Sequence, residues 1–367
     1  MGSLPPQRVL IFRIGSLGDT LVGVPALRAV RARYPEARIT LLCDRQVGKS
    51  WVLAADVLSG TGLVDDFLYY PFDPTSLGRR LQPLRMARLL LSIRARRFDA
   101  FVYLVPSNRG AEAIARDRRY FALAGLRASV GFEGFPDFPT RRPAGGFAPV
   151  LQEADLLLAR LAVSGWQVPA PGAADMTLRA DAPEPEAEAW LSSHPRTSGG
   201  PPIAVGIGGK KPVTVWPLER YDAVVRHLIR SRDVWPVVFG GPEDASGAER
   251  LVAGWGRGAV GAGALTPHQG IGVMRHLALY VGNDTGTMHM AVAAGLRCVA
   301  PFSSAHLPGW WFPYGTGHRV LRTAIECENC GLQVCVERGL ACLLGIDAAR
   351  VVAACEEVLS GAAPRSG

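Results

Sequence analysis

The segment Arg13-Ile14-Gly15-Ser16-Leu17-Gly18-Asp19-Thr20 follows an apolar run and opens a helical pattern. Glycines let a backbone approach a ligand closely, and unpaired amides at a helix N-terminus attract anions. Asp19 in this setting has two readings. It is a general base that takes a proton from an attacking hydroxyl, or an acid that complements the helix dipole. A second segment, Gly282-Asn283-Asp284-Thr285-Gly286-Thr287-Met288-His289, again joins a strand pattern to a helix start. The hydroxyl of Thr285 and the amides of Gly286 and Thr287 form a natural phosphate cradle. His289 lies four residues after Thr285, on the same side of the helix, where it can meet a phosphate or a sugar. Asp284 repels a phosphate there unless it accepts hydrogen bonds from loop amides or sugar hydroxyls. The alternative is a capped helix with a satisfied histidine.

Two further loops follow strand patterns. In Gly206-Ile207-Gly208-Gly209-Lys210-Lys211, leading to Thr214 and Trp216-Pro217, the small residues and two lysines suit a pyrophosphate; the other reading is a solvated loop with a core tryptophan. Phe239-Gly240-Gly241-Pro242-Glu243-Asp244 is a tight turn that can present Glu243, beside Gly241, to a ribose or a base. Taken alone, the segment reads first as a plain turn. Neither phosphate loop has the G-x-G-x-x-G dinucleotide fingerprint, which argues against an NAD enzyme.

The elements that must carry these loops alternate. Arg8 to Arg13 reads as a strand, Leu17 to Tyr34 as a helix with apolar residues at Leu21, Val24, Leu27, Val30 and Tyr34, and Ile39 to Cys43 as a strand. Leu84 to Arg96 is an Arg-rich helix, Ala100 to Leu104 a strand and Ala111 to Ala122 a helix. Phe132 to Pro149, rich in Gly, Pro and aromatics, is a long loop, and Trp166 to Pro185 is the linker. A second series runs from Ile203 to Pro301, and Ala348 to Leu359 is a last helix. The rhythm predicts an α/β chain of two Rossmann-like domains facing across a cleft. Residues 1–172 form the acceptor-binding domain, 173–347 the donor-binding domain, and 348–367 a C-terminal helix and tail. Ligands in such sheets bind beyond the carboxyl ends of the strands, where all four loops lie.

The 367 residues are 48% hydrophobic and 20% charged, which suits a folded chain with a sizeable core. No apolar run reaches the roughly 20 residues of a membrane helix, and the N-terminal apolar run is too short for a signal peptide. A cytoplasmic protein, at most touching the inner face of a membrane, is expected. The net charge is +8, with basic residues scattered and no nucleic-acid-reading motif, so nucleic acid is not an expected partner.

Together the loops resemble glycosyltransferase family 9, the ADP-heptose heptosyltransferases of lipopolysaccharide synthesis and their relatives. Ile11-x-x-x-Gly15-Ser16-Leu17-Gly18-Asp19-Thr20-Leu21 with Pro25-Ala26-Leu27 looks like the family's opening signature, and Gly282-Asn283-Asp284-Thr285-Gly286-x-x-His289 like its donor-phosphate signature. The resemblance implies a GT-B fold and inverting, metal-independent transfer from an ADP-sugar to a glycan or small-molecule acceptor. No cofactor is required for transfer. It makes Asp19 the base and Asp284, Thr285, Gly286 and His289 the donor loop, with Thr287, Thr214, Gly208, Lys210, Lys211, Gly241 and Glu243 around it. Gly18, Asn108 and Arg109 fall to the acceptor. Thr214 stands where the family often has a lysine near the donor phosphates, so Lys210 or Lys211 is left to supply that charge. A nucleotide-sugar epimerase on the same scaffold, or a non-catalytic nucleotide or glycan binding module, are the competing readings.

Seven cysteines are present. Cys43, Cys298 and Cys355 are isolated and read as buried thiols. Cys327, Cys330, Cys335 and Cys342 follow C-x2-C-x4-C-x6-C. That spacing suits a structural zinc or iron centre, or four thiols that merely pack. Relatives often carry a similar segment.

Overall fold

A computed structural model describes residues 5–46, 52–72, 75–126, 129–142, 146–179 and 185–361. Parts of the expected long loop, of the linker and of the C-terminal tail (143–145, 180–184 and 362–367) lie outside the described residues.

The chain folds as two compact units. Unit 1 comprises Met1–Asp137, Glu153–Asp175 and Ala180–Ala182. Its five parallel strands are β1 (Arg8–Phe12), β2 (Arg38–Gln46), β3 (Asp66–Phe72), β4 (Ala100–Tyr103) and β5 (Ser129–Val130), ordered β3-β2-β1-β4-β5. Strand β1 reads Arg-Val-Leu-Ile-Phe, apolar on both faces because helices cover both. Leu10, Phe12, Phe101, Tyr103, Phe121 and Phe132 form much of one core. The predicted helix 17–34 is two helices, Leu17–Val22 and Val24–Arg33. They meet at Gly23, where a Cβ would lie 3.2 Å from Arg13 Nε: the break lets the Arg13 side chain pass.

Unit 2 comprises Phe138–Gln152, Met176–Arg179 and Pro183–Gly367. Its six parallel strands are β6 (Pro202–Gly206), β7 (Trp235–Phe239), β8 (Ala259–Val260), β9 (Leu279–Gly282), β10 (Cys298–Phe302) and β11 (Arg319–Arg322), ordered β11-β10-β9-β6-β7-β8. The helices Leu218–Arg232 and Ala348–Leu359 cover one face, burying Trp216, Tyr221, Leu228, Val351 and Cys355. Phe138–Gln152 belongs to this unit although it lies in sequence between β5 and the unit 1 helix Glu153–Val163. Val150 N donates to Pro308 O at 2.9 Å, Gln152 Nε2 to Pro313 O at 2.8 Å, and Phe138 packs on Trp310 with ring centres 4.8 Å apart. Arg141 donates to the carbonyl of Glu326.

Each sheet reverses its winding at one point, between β1 and β4 in unit 1 and between β6 and β9 in unit 2. Crevices at such switch points are where parallel sheets bind ligands. The loops after β1 and β4, and those after β6 and β9, are therefore the ones to inspect.

Candidate functional site

In unit 1, Ser16 caps the helix Leu17–Val22 and Asp19 is its third residue. Asp19 Oδ2 accepts from Ser16 N at 2.7 Å and Ser16 Oγ at 3.0 Å, while Oδ1 accepts nothing from the described residues. The capping role and a free carboxylate oxygen thus coexist in one side chain. Gly15 makes this possible: its φ is +128°, and a Cβ there would sit 2.3 Å from Asp19 Cγ. Gly15 N donates to Asp44 Oδ1 at 2.8 Å, and Gly18 is buried within the first turn.

Long-range partners that sequence reasoning missed hold this loop. Buried Arg13 donates to Asp19 O through Nε at 2.9 Å and to Leu104 O through Nη1 at 2.7 Å. Burial lowers its pKa, and Glu153 is the nearest opposing carboxylate, 3.9 Å away. Glu153 Oε1 also accepts from Ser107 N at 3.0 Å and Ser107 Oγ at 3.1 Å, which fixes the loop after β4. Arg160, seven residues along the same helix, donates to the carbonyls of Val105, Tyr103 and Gly131 at 2.6–3.1 Å. Its pKa falls to about 10 through burial. Of the acceptor candidates, Asn108 is exposed, and Arg109 is tied to Asp117 at 2.6 Å.

In unit 2, Thr285 is the N-cap of Gly286–Ala293, but its hydroxyl does not cap. It lies 2.8 Å from Thr287 Oγ1, which lies 2.9 Å from Tyr280 Oη. The amides of Gly286 and Thr287 donate to nothing among the described residues. Gly206 and Gly282 pair across β6 and β9. A Cβ on either would strike Tyr280 Oη, at 2.0 and 2.3 Å, so both glycines make room for the hydroxyl that reaches Thr287.

Asn283, fully buried, joins the loops after β6 and β9. Its Oδ1 accepts from Trp216 N at 2.8 Å and Tyr221 Oη at 2.7 Å; its Nδ2 donates to Ile207 O at 3.1 Å and Gly208 O at 3.2 Å. Asp284 is half-buried and accepts no hydrogen bond from the described residues. Loss of water pushes its pKa up to about 7, against the opposing charge of Lys211. His289 is buried and its Nδ1 has no partner among the described residues; burial lowers its pKa to about 4, so it is neutral at pH 7. Its ring stands edge-on to Trp311 at 6.4 Å.

Lys210 is exposed, whereas Lys211 Nζ lies 3.2 Å from His306 Nε2. Thr214 Oγ1 donates to Lys211 O at 3.0 Å. After β7, Glu243 is exposed and Asp244 is the acid brought to the loops. Asp244 Oδ2 accepts from Gly241 N at 2.9 Å, and a Cβ on Gly208 would lie 1.8 Å from it. Burial raises its pKa. Asp244 carried no signal beyond its place in the turn.

Cys43, Cys298 and Cys355 are buried thiols, raised by burial. Cys330 is exposed, Cys327 and Cys335 are half-buried, and Cys342 is buried. Among the described residues no three His, Cys, Asp or Glu side chains are arranged to hold a metal ion.

The family model described as glycosyltransferase family 9 (heptosyltransferase) matches residues 158–341, half of the chain. No curated protein matches. Among solved structures the chain is similar to a glycosyl transferase family 9 protein from Veillonella parvula DSM 2008, with 22% identity and a TM-score of 0.71 over 97% of this chain and 98% of that one. It is similar to the E. coli ADP-heptose LPS heptosyltransferase II, with 20% identity and a TM-score of 0.66 over 96% and 99%. It is also similar to E. coli heptosyltransferase WaaC with ADP-2-deoxy-2-fluoro heptose, with 17% identity and a TM-score of 0.59 over 95% and 99%. These likenesses establish the GT-B α/β fold, and the family match settles the membership: the chain belongs to glycosyltransferase family 9.

Proposed function

We propose that the chain is an inverting glycosyltransferase that moves a sugar, a heptose in the first instance, from an ADP-linked donor to an acceptor hydroxyl. The acceptor is on a lipopolysaccharide core, another glycan or a small metabolite. The observation that carries this reading is the pair of unengaged amides at Gly286 and Thr287, beside the Thr285 hydroxyl at the switch point of unit 2. Solved relatives named for ADP-heptose support the choice of donor.

In the reaction the acceptor oxygen attacks the anomeric carbon as the bond from that carbon to the diphosphate breaks. Asp19 Oδ1 takes the acceptor proton while Oδ2 stays on Ser16, so the base is held without being consumed by its holder. Negative charge grows on the leaving diphosphate. Donors aimed where charge develops stabilise the transition state more than the ground state, and the two amides and Thr285 have that role. No step is routed through a metal. No helix among the described residues is long and apolar enough to cross a membrane, and we place the enzyme in the cytoplasm with at most peripheral contact with the inner membrane face.

Replacing Asp19 by Asn tests the assignment. Transfer should fall about 10²–10⁴-fold with ADP affinity unchanged. Undiminished transfer contradicts it. Donor consumption by the wild-type chain with no acceptor present moves the reading to an epimerase.

A further inference from the structure

A diphosphate carries more negative charge than two amides and a hydroxyl can offset, and Asp284 adds a carboxylate beside it. A cation is needed near Thr285. At position 214 the chain has a threonine whose side chain is only 3% exposed and carries no charge. Its surroundings show where the charge should act: a Cβ on Gly209 would lie 3.0 Å from Thr285 Cγ2 and 3.4 Å from Thr214 Oγ1, so Thr214, Gly209 and Thr285 are packed together.

We infer that Lys211 is the cation of the diphosphate subsite and that His306 is its positioning residue. The inference rests on the donor reading above and deepens it. Lys211, and not exposed Lys210, has its charge felt at Asp284. Its main chain is fixed by Thr214, whose amide and hydroxyl both donate to Lys211 O, at 2.9 and 3.0 Å. The threonine thus supports the cation without supplying it. At the other end, an ammonium group can only donate, so His306 Nε2 must accept from Lys211 Nζ at 3.2 Å and the ring proton must sit on Nδ1. Burial, then the charges of Lys211 and Arg322, keep His306 neutral, down at about pKa 4, so it remains an acceptor at neutral pH. Arg322 Nη2 in turn donates to His306 O at 2.8 Å, and the Trp310 ring stands edge-on 6.2 Å away. A four-carbon side chain is thereby held at both ends, which reduces the entropy lost when it meets a phosphate.

The test is calorimetric titration of the full chain with ADP and with inorganic pyrophosphate. Lys211→Ala should weaken both about tenfold or more, the range for a charge-assisted hydrogen bond. His306→Ala should weaken them about threefold to tenfold, and His306→Gln, which keeps an acceptor, should recover most of the loss. In the Lys211→Ala background His306→Ala should add nothing, since a residue that acts through Lys211 has no effect without it. Thr214→Lys in that background should restore binding by bringing an amine toward Thr285. Additive losses, a Lys211→Ala protein that binds both ligands like wild type, or a larger loss from Lys210→Ala overturns the inference and leaves the donor reading standing. A wild-type chain that binds neither ADP, other nucleoside diphosphates nor pyrophosphate overturns both.

Discussion

Asn283 offers the sharpest perturbation of the donor unit. It is fully buried and makes four hydrogen bonds that join the loops after β6 and β9. Asn283→Ala leaves the Trp216 amide and the Tyr221 hydroxyl without an acceptor, and both residues are fully buried. An unsatisfied buried donor costs about 1–3 kcal/mol, so the two together cost about 2–6 kcal/mol. The orphaned carbonyls of Ile207 and Gly208 each retain a second lone pair and add less. We expect a loss of about 4 kcal/mol in the unfolding transition of unit 2, read by Trp fluorescence in urea. ADP affinity should fall by more than the unfolded fraction explains, because the loop from Gly208 to Lys211 loses its anchor. Asn283→Asp keeps both accepted bonds but sets a carboxylate against the two carbonyls at 3.1 and 3.2 Å, and should also destabilise. A loss below about 1 kcal/mol with unchanged ADP affinity would refute this reasoning.

Other consequences are equally specific. Gly15→Ala forces an L residue into φ +128° and onto the Asp19 carboxylate, so stability should drop by about 1–3 kcal/mol and transfer by more than stability accounts for; unchanged kinetics would contradict the placement of Asp19. Glu153→Leu leaves Arg13 buried without its carboxylate and should cost unit 1 about 3–5 kcal/mol in a denaturant melt, against near-zero loss if the cluster is incidental. Asp284 titrates near 7 in the folded chain and lower when unfolded. The folded state therefore holds an extra proton between about pH 4 and 7. The wild type should lose stability relative to Asp284→Asn as pH rises through that window; parallel Tm curves would exclude the shift. His289 and His306 act with the opposite sign. Their folded pKa values near about 4 lie below the unfolded value, so their neutral burial favours folding above about pH 6.5 and that contribution is lost as pH falls toward 4.

The switch-point loops were legible because local signals coincide there. A short apolar run ends, glycines follow, and a helix with an N-terminal Asp or Thr begins. The helix Ala348–Leu359 was legible in full, because its apolar stripe is uninterrupted. Strands β3, β5, β8 and β11 were not. β5 and β8 have two residues each, β3 carries a proline, and β11 is Arg-Val-Leu-Arg, too polar at its ends to stand out. The contacts that position the loops were also hidden. Glu153 meets Ser107 across 46 residues and Asn283 meets Trp216 across 67, and neither spacing has a sequence signature. Phe138–Gln152 reads as an aperiodic loop because its order comes from unit 2 groups more than 150 residues away, such as Phe312 and Pro313. The choice between Glu243 and Asp244 depended on a turn geometry that places Asp244 against Gly208 and Gly240.

Thermal melting of the full chain with ADP, UDP, GDP and CDP at matched concentrations bears directly on the donor. A ligand at 100 times its Kd adds about 2.7 kcal/mol to the folded state. ADP should raise the melting temperature more than the other three, and the shift should shrink in Lys211→Ala. A shift favouring another nucleotide would contradict the ADP donor while leaving a transferase, and no shift with any nucleotide or with an intact ADP-sugar would contradict the assignment of the Asp284–His289 loop to donor phosphates.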